Sequence, residues 1–149
     1  RIRLLNYSAP QAVKALENNI IDFAIVSTPV LVHKHMHQEK LVSYDEILLG
    51  GTKYKQFAQQ VHYLEDISEV PLIGLCEGSS THTHYSRFFM ELDLPFEPDM
   101  EAAMTDQVLP MITHNLGIGF YPKSLALEAI FSITVSVSAV CPSISVSGS

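Results

Sequence analysis

Hydroxyl-bearing side chains recur in this sequence where a strand is predicted to end or a helix to begin. A helix start leaves up to about four backbone N–H groups without an intrahelical partner, and the helix dipole adds partial positive charge there. Such N–H groups, together with neighbouring hydroxyls, suit carboxylate, phosphate or sulfate ligands. We therefore predict an effector-binding site for a small anion, made by Ser8, Ser27, Thr28, Ser79, Ser80, Thr81 and Thr105.

Each of these hydroxyls has a simpler interpretation as a helix N-cap, which is worth about 1 kcal/mol. For any single residue the cap interpretation is favoured. For the set, convergence of several helix starts on one cleft favours ligand binding. The leading candidates within the set are Thr28, Ser80, Thr81 and Thr105.

A second pattern is the alternation of His33, His35 and His37. On an extended strand, a period of two puts all three imidazoles on one face, where they could bind zinc, nickel or copper. The alternative is a polar loop that contains histidines, and it is the commoner case. A further pair, His82 and His84, lies at a helix start, where contact with the cleft is favoured over metal binding.

The sequence lacks three common motifs of enzyme active sites. The sequence has no zinc-protease motif, no phosphate-binding loop and no Ser-His-Asp order. We therefore predict that the protein is not an enzyme and needs no cofactor.

The elements that must position these residues alternate between strand and helix. Residues 1–7 predict a strand, residues 8–19 a helix with Ser8 as N-cap and Gln11 completing a capping box, and residues 21–28 a buried strand. This order is typical of a parallel β-α-β unit. The remaining predicted strands are 41–49, 71–76, about five residues around Met100, 117–121 and 131–138, and the remaining helices begin near Ser80, Thr105 and Lys123.

Composition limits the class of function. The chain has 149 residues, of which 47% are hydrophobic, so it can bury a core. Its formal net charge of -7 makes direct binding to nucleic acid unfavourable. Two distant cysteines, Cys76 and Cys141, indicate a reducing compartment, hence the cytoplasm, with Cys76 as a small core residue. No apolar run reaches the roughly 18 residues of a membrane span.

Three segments carry a resemblance to a known family. Residues 1–29 form a strand–helix–strand whose Asp-x-Ala-Ile strand ends near proline. Residues 64–89 contain Leu-x-Asp-Ile followed by Pro-Leu-Ile, and residues 105–126 contain a helix followed by Gly-Ile-Gly-x-x-Pro. With these segments in this order, residues 1–130 resemble the effector-binding domain of LysR-type bacterial transcription regulators.

The resemblance implies a type-2 periplasmic-binding-protein-like α/β fold, with two Rossmann-like lobes joined by two crossing strands and a ligand in the cleft between them. Lobe one would span 1–49, lobe two 50–130, and a return strand with a Ser-rich tail 131–149, with crossings near 49–52 and 130–133. It also implies a small-molecule effector, a homodimer and DNA contact through an N-terminal helix-turn-helix part. Neither that part nor the first β-α unit of lobe one is recognisable here, and the tail does not resemble the family's terminal helix.

Two other functions fit the same pattern. A solute-binding protein of this fold would carry a signal peptide upstream, where a regulator would carry a helix-turn-helix. An enzyme of this fold would need a pair of perturbed ionisable groups in the cleft. The leading hypothesis is a regulator's ligand-sensing domain, in which effector binding closes the cleft and changes how the subunits pair.

Overall fold

The computed structural model describes residues 1–58, 64–131 and 135–138. Its strands are β1 (Glu46–Gly51), β2 (Leu72–Leu75), β3 (Met100–Ala102), β4 (Ile118–Pro122) and β5 (Val135–Ser138). Its α-helices are α1 (Ala9–Glu17), α2 (Lys55–Ala58), α3 (Ser80–Glu91), α4 (Thr105–Thr113) and α5 (Lys123–Phe131), with 3-10 helices at Thr52–Tyr54 and Leu64–Glu69.

The strands form one mixed sheet in the order β3-β2-β4-β1-β5. Strand β2 runs parallel to both β3 and β4, whereas β1 runs antiparallel to β4 and β5. The carboxyl ends of the three parallel strands therefore meet at one edge of the sheet. The antiparallel register pairs Glu46 with Pro122, so β1 begins at the edge where β4 ends.

Both faces of the sheet are covered by apolar packing, because successive strand residues point to opposite faces. Leu48 belongs to one cluster and Leu49 to the other. The first cluster packs against α3 and contains Leu48, Tyr54, Ile67, Leu72, Tyr85, Phe89, Ile118 and Phe120. The second packs against α4 and α5 and contains Leu49, Ile73, Leu75, Ala102, Val108, Ile112, Tyr121 and Ala126.

Helix α1 begins as the sequence predicts. The Ser8 amide donates to the Gln11 side chain at 3.0 Å, and the Ser8 carbonyl accepts the first helical hydrogen bond from Ala12 at 2.8 Å. Pro10 lies in the first turn, where an N–H has no intrahelical partner to lose. Local chemistry therefore accounts for where this helix begins, while burial of Ala12, Val13 and Ala15 stabilises it.

The strands predicted at 1–7 and 21–28 are wrong: neither segment forms a strand, and β1 begins at residue 46 instead of 41. A strand is stable only when its backbone pairs with a neighbour, and nothing within the described residues pairs with these two segments. Several of their apolar side chains are accordingly exposed, among them Leu4 at 93% and Phe23 at 77%.

The later elements are confirmed, with ends within about four residues of the predicted ones. Cys76 follows β2 but is half-buried, so the prediction of a core residue is wrong. The predicted return strand is confirmed as Val135–Ser138, while the Ser-rich stretch 139–149, with Cys141, lies outside the described residues. Within the described ranges, no helix has the length and apolar character needed to cross a membrane.

Candidate functional site

A cavity of about 380 Å³ lies where the carboxyl ends of the parallel strands meet the N-terminal part of the chain. We call it the cleft cavity. On one side it is lined by residues 6–9 and 25–27, and on the other by the ends of β2 and β4 and the starts of α3 and α4. Six of the seven predicted effector-binding residues line it, namely Ser8, Ser27, Ser79, Ser80, Thr81 and Thr105.

Three helices begin at this cavity. Ala9 opens α1, Ser80 opens α3 and Thr105 opens α4, and all three residues line the cavity. Pro10 has no amide hydrogen, and the amides of His82 and Gln107 already donate to Ser79 and Met104. The first amides of each helix, at Ala9, at Ser80 and Thr81, and at Thr105 and Asp106, have no intrahelical acceptor and can donate to a ligand. The dipoles of the three helices add partial positive charge at the same place.

The hydroxyls of the cavity differ in how they are used within the protein. The Ser79 hydroxyl accepts a hydrogen bond from the His82 amide at 3.0 Å, so Ser79 is an N-cap of α3. The Ser27 hydroxyl is hydrogen-bonded to the Tyr44 side chain. The N-cap of α4 is Met104, which leaves the Thr105 hydroxyl outside the capping position. Thr105 is exposed, and its hydroxyl is therefore the one best placed to meet a ligand.

No lysine, arginine or histidine is among the lining residues, and Asp106 is the one acidic residue there. Burial raises the pKa of Tyr121, which also lines the cavity, and the nearby Asp106 carboxylate raises it further. Positive potential in the cleft cavity thus comes from helix starts and not from side-chain cations. An anion bound there would be held by directed hydrogen bonds from amides and hydroxyls.

Thr28 does not join this group. It lines a different and larger cavity of about 570 Å³, bounded by α1 and by residues 24–44. About half of its lining residues belong to segments that the sequence predicts as strands and that the structure leaves unpaired, namely Ala24, Ile25, Val26, Ser27, Thr28, Leu41, Val42 and Tyr44. The peptide bond between Thr28 and Pro29 is cis.

His33, His35 and His37 lie on exposed chain and do not line the cleft cavity. The rings of His33 and His35 stack with their centroids 5.8 Å apart, and His33 pairs with the Glu17 carboxylate. In the part of the chain that the structure describes, no group of three or more metal-ligating side chains converges. Metal binding by His33, His35 and His37 therefore stays a prediction.

His82 and His84, the other histidine pair, contact residues of the fold. His82 shares a hydrogen bond of 2.9 Å with the Leu75 carbonyl, and its ring packs edge-on against Phe96. Burial lowers the pKa of His84, with the Glu91 carboxylate acting in the opposite direction. Neither histidine lines the cleft cavity.

Sequence reasoning missed Glu46 and the hydroxyl of Tyr85. Glu46 is the one charged residue buried among the described residues, at 8% exposure, and burial raises its pKa to about 7. Tyr85 is buried on the apolar face of α3, where its spacing from Phe89 indicates a core ring and nothing about its hydroxyl. The signal for Glu46 was an acidic residue at the head of an otherwise apolar strand, residues 46–51.

Solved structures share this fold at low sequence identity. The effector-binding domain of QuiR in complex with shikimate matches with a TM-score of 0.73 and 15% identity, over 93% of this chain and 65% of that one. The regulatory domain of CcmR from Synechocystis, in complex with 2-PG, matches with a TM-score of 0.71 and 12% identity, over 89% of this chain and 64% of that one. HinK, a LysR family transcriptional regulator from Pseudomonas aeruginosa, matches with a TM-score of 0.68 and 18% identity, over 93% of this chain and 47% of that one.

This chain spans less than two thirds of the length of each of these three proteins. No curated protein matches it. The fold is the type-2 periplasmic-binding-protein-like α/β fold, as the sequence predicts. The model of the LysR substrate binding domain matches residues 1–141. The chain therefore belongs to the LysR substrate binding domain family.

Proposed function

We propose that this chain is the ligand-sensing domain of a LysR-type transcription regulator and that it binds a small organic anion in the cleft cavity. The binding groups are the first-turn amides of α1, α3 and α4, with the hydroxyls of Ser80, Thr81 and Thr105. Ser8, Ser27 and Ser79 complete the wall. The domain is regulatory and has no catalytic role.

The observation that carries this proposal is the meeting of three helix starts around one cavity of ligand size. One helix start alone would be an ordinary cap. Three that line the same cavity supply several amide donors without any side-chain cation. The position at the carboxyl edge of the parallel strands is where ligands bind in open α/β sheets.

The comparisons support a small ligand. QuiR and CcmR were both solved with a small molecule, shikimate and 2-PG respectively. Membership of the LysR family favours a regulator over a solute-binding protein or an enzyme of the same fold.

The response to the effector would reach DNA indirectly. The formal net charge of -7 disfavours contact between this domain and phosphate backbones. We propose that effector binding shifts the domain between two arrangements within a cytoplasmic homodimer. This shift would change how a helix-turn-helix part of the same regulator binds DNA.

A thermal-shift screen against small carboxylates, amino acids, phosphate and sulfate tests the ligand class. We expect an organic anion to raise the melting temperature. Thr105→Ala should then weaken its affinity about tenfold or more, because a hydrogen bond to a charged group is worth about 1.5–3 kcal/mol. Isothermal titration calorimetry measures the difference.

Thr113→Ala is the matched control, because it removes a hydroxyl from the other end of α4, where that hydroxyl donates to the Pro110 carbonyl at 2.9 Å. Its affinity should equal that of the unaltered chain. If no anion changes the melting temperature, or if both variants weaken binding equally, the cleft cavity is not the binding site.

A further inference from the structure

Glu46 opens β1 at the carboxyl edge of the parallel strands. The register of β1 against β4 pairs Glu46 with Pro122. Glu46 also lines a second, small cavity of about 20 Å³ beneath that edge. Burying a carboxyl group costs free energy unless the group has a hydrogen-bond partner, so we expect Glu46 to have one.

The hydroxyl of Tyr85 lacks a partner at the same cavity. Its ring is fixed by stacking on Phe120, with the centroids 4.6 Å apart, and on Phe96 at 5.6 Å. The residue is only 3% exposed, and its hydroxyl oxygen is buried without a hydrogen bond from any described residue. Buried tyrosine hydroxyls in native proteins nearly always have a partner.

The small cavity adjoins the cleft cavity, because Leu75, Thr81 and Thr105 line both. Thr81 precedes Tyr85 by one helical turn on α3, so the two side chains lie one above the other. A volume of about 20 Å³ admits a single oxygen-sized group, since one water needs roughly 10–15 Å³.

We propose that the small cavity is a subsite for one hydroxyl group of the effector, held between the Glu46 carboxyl and the Tyr85 hydroxyl. This inference rests on the proposed binding of an effector in the cleft cavity. It narrows the ligand class to hydroxylated organic anions, with the anionic group at the helix starts and the hydroxyl reaching past Thr81 and Thr105.

Protonation of Glu46 makes the subsite compatible with an anion. Burial raises the pKa of this carboxyl to about 7, so below that pH it is mostly neutral and donates a hydrogen bond without repelling the ligand. Desolvation is the cause of the shift. The titratable or charged groups on the surrounding elements are Tyr44, Asp45, Tyr85, Asp106, Tyr121 and Lys123.

Calorimetry on the full chain with matched pairs of carboxylates tests the subsite. The pairs are malate with succinate, lactate with propionate, and shikimate with cyclohex-1-ene-1-carboxylate. At pH 6 we expect a hydroxylated member to bind about tenfold tighter than its partner, the contribution of one good hydrogen bond. At pH 8 both members of each pair should bind the unaltered chain more weakly than at pH 6, because the ionised Glu46 repels their carboxylates, whereas Glu46→Gln should lose little affinity between the two pH values.

Tyr85→Phe should abolish the preference without lowering the melting temperature, since the ring remains. Tyr7→Phe removes a hydroxyl that lines the cleft cavity but not the small one, and it should keep the preference. Equal affinities within every pair, or a preference that survives Tyr85→Phe, would overturn the subsite while leaving anion binding in the cleft intact. If none of the carboxylates binds, the subsite and the proposed function both fail.

Discussion

Glu46→Gln is expected to raise the free energy of unfolding by about 3 kcal/mol at pH 8 and to leave it nearly unchanged at pH 4.5. Burial raises the pKa of Glu46 to about 7 from an ordinary value of 4.5. The folded chain therefore binds this proton more tightly than the unfolded chain does. The resulting contribution to stability is fully present below about pH 4.5 and is lost as the pH rises through about 7.

Glutamine keeps the shape and the polar contacts of the protonated acid but cannot ionise, so the cost of a buried charge at high pH disappears. Urea unfolding followed by circular dichroism between pH 4.5 and pH 8 measures the effect. Glu101→Gln is the control, because Glu101 is exposed on β3 and its replacement should change stability by less than about 0.5 kcal/mol at every pH. Equal pH dependence in Glu46→Gln and the unaltered chain would show that Glu46 is not buried as described.

Leu49→Ala is expected to lower the free energy of unfolding by about 3 kcal/mol, whereas Leu4→Ala should change it by less than about 0.5 kcal/mol. Leu49 is 0% exposed and packs between the sheet and α4. Removing its side chain costs transfer free energy and leaves a cavity that the surroundings fill only in part. Leu4 is 93% exposed, so the same truncation there removes little packing.

The same urea unfolding experiment measures both leucine variants. The two variants compare how much the packed sheet, which begins at residue 46, and the unpaired segment 1–7 contribute to the free energy of unfolding. Equal losses for the two variants would mean that residues 1–7 are packed in solution, contrary to the structure.

The part of the fold that depends on local chemistry was predictable from the sequence. The capping pattern of Ser8 and Gln11 predicts α1, and the apolar spacing of Tyr85 and Phe89 predicts the buried face of α3. The segments 1–7 and 21–28 have the composition of strands, but a strand also needs a partner elsewhere in the chain. Composition cannot report whether that partner is present, so both strand predictions were wrong.

The candidate site was predictable to a similar degree. Hydroxyls at helix starts identify Ser80, Thr81 and Thr105 because a helix start is visible in the sequence. Thr28 also ends a predicted strand, yet it lines the larger cavity, since no local pattern determines the path of the chain around it. The presence of Glu46 and Tyr85 at one small cavity depends on the register of β1 against β4 and on where α3 packs, and both are tertiary properties.

Two larger cavities compete with the cleft cavity as the place where an effector binds. One, of about 450 Å³, lies between α1, residues 29–33 and α3, and Lys14 and Arg87 are among its lining residues. The larger one, bounded by α1 and residues 24–44, has mainly apolar walls built from unpaired chain. The cleft cavity is smaller, but the donors of α3 and α4 belong to helices that pack against the sheet. Rigid, directed donors favour the cleft cavity for an anion, because less ordering is needed when the ligand binds.

The central claim is that an organic anion binds at the three helix starts, and mapping amide chemical shifts by NMR tests it most directly. The chain would be titrated with the carboxylate that raises its melting temperature most. We predict that the largest shifts occur at Ala9, at Ser80 and Thr81, and at Thr105, with small changes at residues 36–42. Shifts concentrated at residues 28–44, with the helix starts unmoved, would contradict the claim and place binding in the larger cavity.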